Sequence, residues 1–126
     1  MIARAEEPSQ KLVDWLIQIE SGGKLNAIGD KKFTNKAYGP LQVRQTVCDD
    51  VNRRFKTQYR AEECLGNLDL SVRIFKLYMQ MWASKERLGR IPTDEDIARI
   101  WNGGPNGWKR NATLAYAAKL RSRSRT

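Results

Sequence analysis

Residues 68–82, LDLSVRIFKLYMQMW, limit more than any other stretch what this chain can become. Read as a helix, the polar side chains Asp69, Arg73, Lys76 and Gln80 gather into an arc of only about 60°. Leucine, valine, isoleucine, phenylalanine, tyrosine, methionine and tryptophan fill most of the remainder. A helix apolar nearly all round must be surrounded by other elements, so the spacing predicts a central, buried helix capped by Asn67. With 126 residues the chain is expected to form a single domain over 1–126 that buries this helix without metal or disulfide staples. Residues 1–8 and 122–126 are expected to be flexible, the last carrying the solvated run RSRSRT.

Amphipathic segments flank that helix. Pro8 or Ser9 opens a helix to about Glu20, with Leu12, Val13, Leu16 and Ile17 on one side and Lys11, Asp14 and Gln18 on the other. Thr46 is expected to cap a helix to about Phe55, with Val47, Val51 and Phe55 spaced four apart. Thr93-Asp94-Glu95-Asp96 reads as the start of another helix, with Ile97, Ile100 and Trp101 inward. It should stop at Asn102-Gly103-Gly104-Pro105. A short last helix is expected over 112–121, with Leu114, Ala117, Ala118 and Leu120 apolar.

Residues 19–43 are different in character: IESGGKLNAIGDKKFTNKAYGPLQV is broken by glycines at 22, 23, 29 and 39 and by Pro40. Such spacing suits turns and a small hairpin, with Ala27-Ile28 pairing Lys32-Phe33-Thr34 around Gly29-Asp30-Lys31. The fold class is therefore α+β, predominantly helical, with a central helix and a small β-hairpin region.

Composition narrows the chemistry. The chain has no histidine, which removes Ser-His and Cys-His nucleophilic sites and most catalytic zinc sites. Carboxylates are left to move protons, and no cofactor or metal is called for. A net charge of +9 favours a polyanionic partner: nucleic acid, an anionic membrane face or an acidic cell wall. No stretch is long enough to insert in a membrane, and 1–8 lacks an apolar signal region. Cys48 and Cys64 are the two cysteines. A bridge between them would close a loop of roughly 15 residues and contribute about 3 kcal/mol; two free, half-buried thiols fit the sequence equally well.

Two carboxylates stand out. Glu20 falls inside the apolar arc at the end of its helix, where desolvation by Leu16 and Ile17 would favour the protonated form a general acid needs. Asp30, ten residues on in a polar turn, should stay ionised and serve as nucleophile or stabilise an oxocarbenium-like centre. Around them, Ser21, Gly39 and Gln42 offer close backbone approach and hydrogen-bonding groups. Tyr38, Trp101 and Tyr116 offer rings for stacking, and Asn102-Gly103-Gly104 forms a turn of the kind that lines clefts.

These residues carry a resemblance. Glu20-Ser21-Gly22, Gly39-Pro40-Leu41-Gln42 and Asn102-Gly103-Gly104 before Tyr116 resemble the lysozyme-like superfamily, which includes lytic transglycosylases. The run from Ala98 to Gly107, with Ala112-Thr113-Leu114-Ala115-Tyr116, closely resembles the invertebrate-type lysozymes, or destabilases, and their bacterial and phage-borne relatives. The resemblance covers roughly residues 12–121. It implies a lysozyme-like fold, with Glu20 as proton donor and Asp30 as second catalytic carboxylate. It also implies hydrolysis of the β-1,4 bond between N-acetylmuramic acid and N-acetylglucosamine in peptidoglycan. Ser21, Tyr38, Gly39, Gln42, Trp101, Asn102, Gly103, Gly104 and Tyr116 would contact the glycan strand. Animal members are dense in disulfides, whereas this chain has two cysteines, and Trp101 stands where the family often has His. Some family members are also isopeptidases, and the Trp101 replacement bears on any such role that rests on that histidine, leaving the muramidase role intact.

The expected protein is a monomeric muramidase acting on peptidoglycan glycan strands, reached by secretion, in the periplasm or by phage delivery. It would need neither nucleic acid nor membrane insertion. A lytic transglycosylase using Glu20 alone is the nearest rival. A basic nucleic-acid-binding module and a non-catalytic glycan binder are the alternatives from other classes.

Overall fold

The computed structural model describes residues 7–125. The flexibility expected of residues 1–6 and of Thr126 lies outside the described residues. In order, the elements are α1 (Gln10–Ser21), β1 (Ile28–Gly29), β2 (Ala37–Tyr38), β3 (Val43–Arg44), α2 (Gln45–Phe55), α3 (Leu68–Trp82), α4 (Lys85–Leu88), α5 (Asp94–Gly103) and α6 (Leu114–Ser124). Short 3-10 turns occur at Ala61–Cys64, Gly107–Lys109 and Asn111–Thr113. The chain divides into two compact units, residues 20–78 and residues 1–19 with 79–126.

In the unit 20–78, three short strands form an antiparallel sheet in the order β1-β2-β3, with Tyr38 opposite both Ile28 and Val43. Ala37, Leu41, Val43, Cys48, Val51, Ala61, Cys64, Ile74 and Phe75 are buried in it. The sequence reading misplaced one strand and missed another. Lys32-Phe33-Thr34 is exposed loop, β1 pairs with Ala37–Tyr38, and β3 completes the sheet. The β-propensity of Phe33 and Thr34 is overridden because Ala37, not they, has an apolar interior to enter. α3 starts where Asn67 was expected to cap it, the Asn67 side chain accepting from the Leu70 N–H at 3.0 Å. α2 starts at Gln45, one residue ahead of the expected Thr46 cap. Its N-cap is Arg44 in extended conformation, with no side-chain cap.

In the unit formed by 1–19 and 79–126, Ser9 caps α1 by accepting from the Leu12 N–H at 3.1 Å, and Leu12, Val13 and Leu16 are fully buried. α5 packs against α6 and the turn at Gly107–Lys109, burying Ile97, Ala98, Ile100, Ala117 and Leu120. Thr93 and Asp96 form a reciprocal capping box at the start of α5. Ser84 caps α4, a short helix not anticipated from the sequence. The final helix differs from expectation at both ends: 3-10 turns occupy 107–113, and α6 continues through Ser124 where solvated coil was expected. Leu114, one of the apolar residues of that helix, is 50% exposed. Among the described residues no helix is long and apolar enough to cross a membrane.

Candidate active site

Both carboxylates singled out in the sequence belong to the unit 20–78. Glu20 sits in the last turn of α1 and is half-buried. The helix ends one residue later, and Ser21 secures that end: its hydroxyl donates to the Pro40 carbonyl at 2.8 Å and accepts from the Gly23 N–H at 3.2 Å. The segment bearing Glu20 is thereby tied to the Gly39-Pro40-Leu41 bend. Expected to contact sugar, Ser21 has a structural bond as well.

The bend itself is built by close approach. Gly39 has φ 83°, its N–H donates to the Ala27 carbonyl at 2.8 Å, and a Cβ there would collide with the Cys64 carbonyl. Gln42, also left-handed at φ 55°, turns its side chain back on this bend. Its amide donates to the Gly39 carbonyl at 2.9 Å and to the Ala27 carbonyl at 3.2 Å. Both amide hydrogens are thus spent on backbone, and a donor role toward substrate, expected from the sequence, is not available in this arrangement. Gly39 likewise is buried and serves the turn. Tyr38 is half-buried in β2.

Asp30 follows β1 directly, with φ 54°, a conformation that Asp tolerates better than most residues. Its backbone carbonyl accepts from the Phe33 N–H at 2.9 Å, closing a turn. Its carboxylate is ion-paired with Arg44, and the same guanidinium donates to the Asn35 carbonyl at 2.6 Å. The pair is open to solvent, with the Arg44 and Asp30 side chains 38% and 43% exposed. Arg44 was not among the residues singled out in the sequence. It lies 14 residues from Asp30, and only the β1-β2-β3 pairing brings it there.

The remaining candidates belong to the other unit. Trp101 is half-buried near the end of α5, and Asn102 is exposed. Gly104, at φ 89°, ends the helix, its N–H donating to the Ile100 carbonyl at 2.8 Å. Gly103 backs directly onto the Thr113 methyl group, so its lack of a side chain serves packing. Tyr116 is 7% exposed in the core, and its ring face is not presented for stacking on a sugar as the sequence suggested. Two arginines that the sequence did not single out as site residues frame this region. Arg87 donates to the carbonyls of Trp82 at 3.1 Å and Pro105 at 2.6 Å and to the Asn106 side chain at 2.7 Å. Arg99 donates to the Thr113 hydroxyl at 2.7 Å and the Arg110 carbonyl at 2.8 Å. Their partners are 11 to 19 residues away for all but the Trp82 contact, beyond the reach of any local signal.

Cys48 and Cys64 are free and buried, so of the two states open from the sequence the structure holds the thiols and not the bridge. Burial, reinforced by the neighbouring Cys64, Asp49 and Glu63, pushes the Cys48 thiol up to about 12. Burial also raises Cys64, against a hydrogen bond with Ser71 that lowers it. Among the described residues no group of three or more His, Cys, Asp or Glu side chains is placed to hold a metal ion.

A helical protein with this small three-stranded sheet has the lysozyme-like α+β fold. Solved structures it resembles include lysozymes from Tapes japonica and Meretrix lusoria. It matches Tapes japonica lysozyme with a TM-score of 0.72 and 27% identity, over 90% of this chain and 88% of that one. It matches the inhibitor-bound lysozyme from Meretrix lusoria with a TM-score of 0.77 and 23% identity, over 92% and 90% of the two chains. The complex of Meretrix lusoria lysozyme with Aeromonas hydrophila PliI gives the same values. The resemblance to invertebrate-type lysozymes read from the sequence therefore holds across the fold. No protein-family model and no curated protein sequence matches the chain.

Proposed function

We propose that the protein is a muramidase that hydrolyses the β-1,4 bond between N-acetylmuramic acid and N-acetylglucosamine in peptidoglycan. Half-buried Glu20 is the general acid that protonates the leaving oxygen. The Asp30 carboxylate attacks or stabilises the anomeric carbon from the opposite side. Water then completes hydrolysis with Glu20 as base, so the anomeric configuration is retained. The observation that carries this reading is the pairing of a lysozyme-like fold with a carboxylate at the secured end of α1 and a second one in the braced turn after β1. The positive charge suits an anionic wall, and the protein would act there, outside the cytoplasm.

One observation favours a second reading. The Asp30 carboxylate is already engaged by Arg44, which leaves it a weaker nucleophile than a free carboxylate. A lytic transglycosylase needs Glu20 alone: the muramic acid 6-hydroxyl attacks in place of water and leaves a 1,6-anhydro end. Mass spectrometry of digested peptidoglycan separates the two. Muramidase action yields reducing ends, and Asp30→Asn nearly abolishes them. Anhydro products with Asp30→Asn still active would replace hydrolysis by the transglycosylase reading.

A further inference from the structure

The loop joining β1 to β2, residues 30–36, carries more exposed chemistry than a connection needs. After Asp30 come Lys31, Lys32, Phe33, Thr34, Asn35 and Lys36. Phe33 is 64% exposed, more than any other large apolar side chain among the described residues. Its exposure does not come from a slack backbone. The Phe33 N–H is bonded to the Asp30 carbonyl, and Arg44 grips the loop at Asp30 and at the Asn35 carbonyl. Because Arg44 neutralises Asp30, the three lysines give the loop a net positive face with an aromatic ring among them.

We propose that this loop is a docking surface for the carboxylate-bearing stem peptides of peptidoglycan, Lys31, Lys32 and Lys36 meeting the carboxylates and Phe33 covering apolar side-chain carbon. The inference rests on the muramidase reading, which puts Asp30 at the anomeric carbon of the cleaved bond. Three residues of chain span at most about 10 Å, and the stem peptide hangs from the lactyl group of the muramic acid at that bond. An acidic peptide tethered there falls within reach of Lys31, Lys32 and Phe33, one to three positions past Asp30, and of Lys36, because Arg44 holds the adjoining Asn35 back toward Asp30. Charge complementarity selects the stem over the neutral N-acetylglucosamine units of the same strand. A cationic rim beside a catalytic carboxylate would then discriminate wall glycan from uncharged chitin-type glycan of the same backbone.

The test is sedimentation binding, in the cold, of the full chain to three insoluble substrates: intact peptidoglycan, peptidoglycan with its carboxyls converted to amides, and chitin. Wild type is compared with Lys31→Gln/Lys32→Gln, with Phe33→Ser, and with Lys109→Gln/Lys119→Gln as an equal loss of charge elsewhere. Melting curves confirm that each variant is folded. Intact wall should bind wild type about tenfold more tightly than amidated wall, as expected for two or three exposed charge pairs. The Lys31/Lys32 variant should lose that difference, Phe33→Ser should weaken binding to both walls, and the Lys109/Lys119 variant should match wild type. All proteins should bind chitin alike. Equal weakening by both lysine pairs, or no preference of wild type for free carboxyls, overturns the proposal. Cleavage by wild type is scored separately, by reducing-end release. Release without stem-dependent binding removes the docking surface alone, and stem-dependent binding without release removes the muramidase reading alone.

Discussion

Arg44 holds the Asp30 carboxylate from β3, two strands over from β1, while its other nitrogen donates to the Asn35 carbonyl, so one guanidinium spans both ends of the β1-β2 loop. A carboxylate in an exposed turn would otherwise sample several rotamers. One arm of a planar fork on the carboxylate and the other on the Asn35 carbonyl fix the direction of Asp30 as well as neutralising its charge.

Arg44→Ala should lower kcat on peptidoglycan by roughly ten- to hundredfold, the scale expected when a reacting group is misplaced by about 1 Å. KM should change little, and the melting temperature should move by no more than a few degrees, because the pair is solvent-exposed. Arg44→Lys keeps the charge but cannot reach both acceptors, so it should recover only part of the loss. Steady-state kinetics of the three proteins check this. Unchanged kcat in Arg44→Ala would mean that Asp30 needs no positioning.

Arg87 is the corresponding brace for the turn after α5. Besides its three hydrogen bonds it lies over the Trp82 ring, 5.1 Å from the centroid. Arg87→Met should cost about 1 kcal/mol in denaturant unfolding, since two part-buried carbonyls lose a charged donor. The turn at Asn102-Gly103-Gly104 loosens with it, so KM should rise several-fold while kcat falls less.

The start of α5 should respond to acid. Burial raises Asp96, but hydrogen bonds from Arg90 and from the Thr93 backbone and side chain outweigh it and hold the carboxyl below its usual range. Its side chain is only 5% exposed. A group whose folded pKa is depressed stabilises the fold fully above its unfolded value, near pH 3.9, and that contribution is lost as pH falls through the folded value. Asp96→Asn should therefore be less stable than wild type by about 1 kcal/mol at pH 7. The gap should close as pH falls through the folded value. Urea melts at pH 7, 4 and 2.5 measure it.

How much of this was legible beforehand depends on the range of the interactions. Ser9, Asn67 and the Thr93-Asp96 box are caps whose partners lie three residues away, and each helix began where its cap predicted. The buried face of α1 followed from periodicity in the same way, and so did the burial of Ile74, Phe75, Tyr78 and Met79 in α3, whose start at Leu68 is instead 41% exposed. What failed was set by distant partners. Whether Lys32-Phe33-Thr34 or Ala37-Tyr38 pairs with β1 depends on which can bury a side chain, and a window of sequence does not hold that information. Gln42 looked like a ligand arm because its own turn, which consumes its amide, could not be seen. Tyr116 looked like a stacking ring because a lone aromatic reads the same in sequence whether it faces a cleft or, as here, the core.

The two cysteines yield a chemical prediction. With the Cys48 thiol raised to about 12, roughly one molecule in ten thousand carries the thiolate at pH 8. A disulfide reagent such as dithionitrobenzoate should react with Cys48 only in denaturant, on the timescale of unfolding. Rapid reaction of both thiols in the native protein would contradict their burial.

The most direct measurement is the clearing of a suspension of purified peptidoglycan by wild type and Glu20→Gln at matched concentration and verified fold. Glutamine keeps the size and hydrogen-bonding shape of Glu20 but has no proton to give the leaving oxygen. A fall in initial rate of roughly a hundredfold or more is predicted, the scale of a lost general acid. Glu20→Gln clearing the wall at the wild-type rate would contradict the assignment of Glu20 as the proton donor.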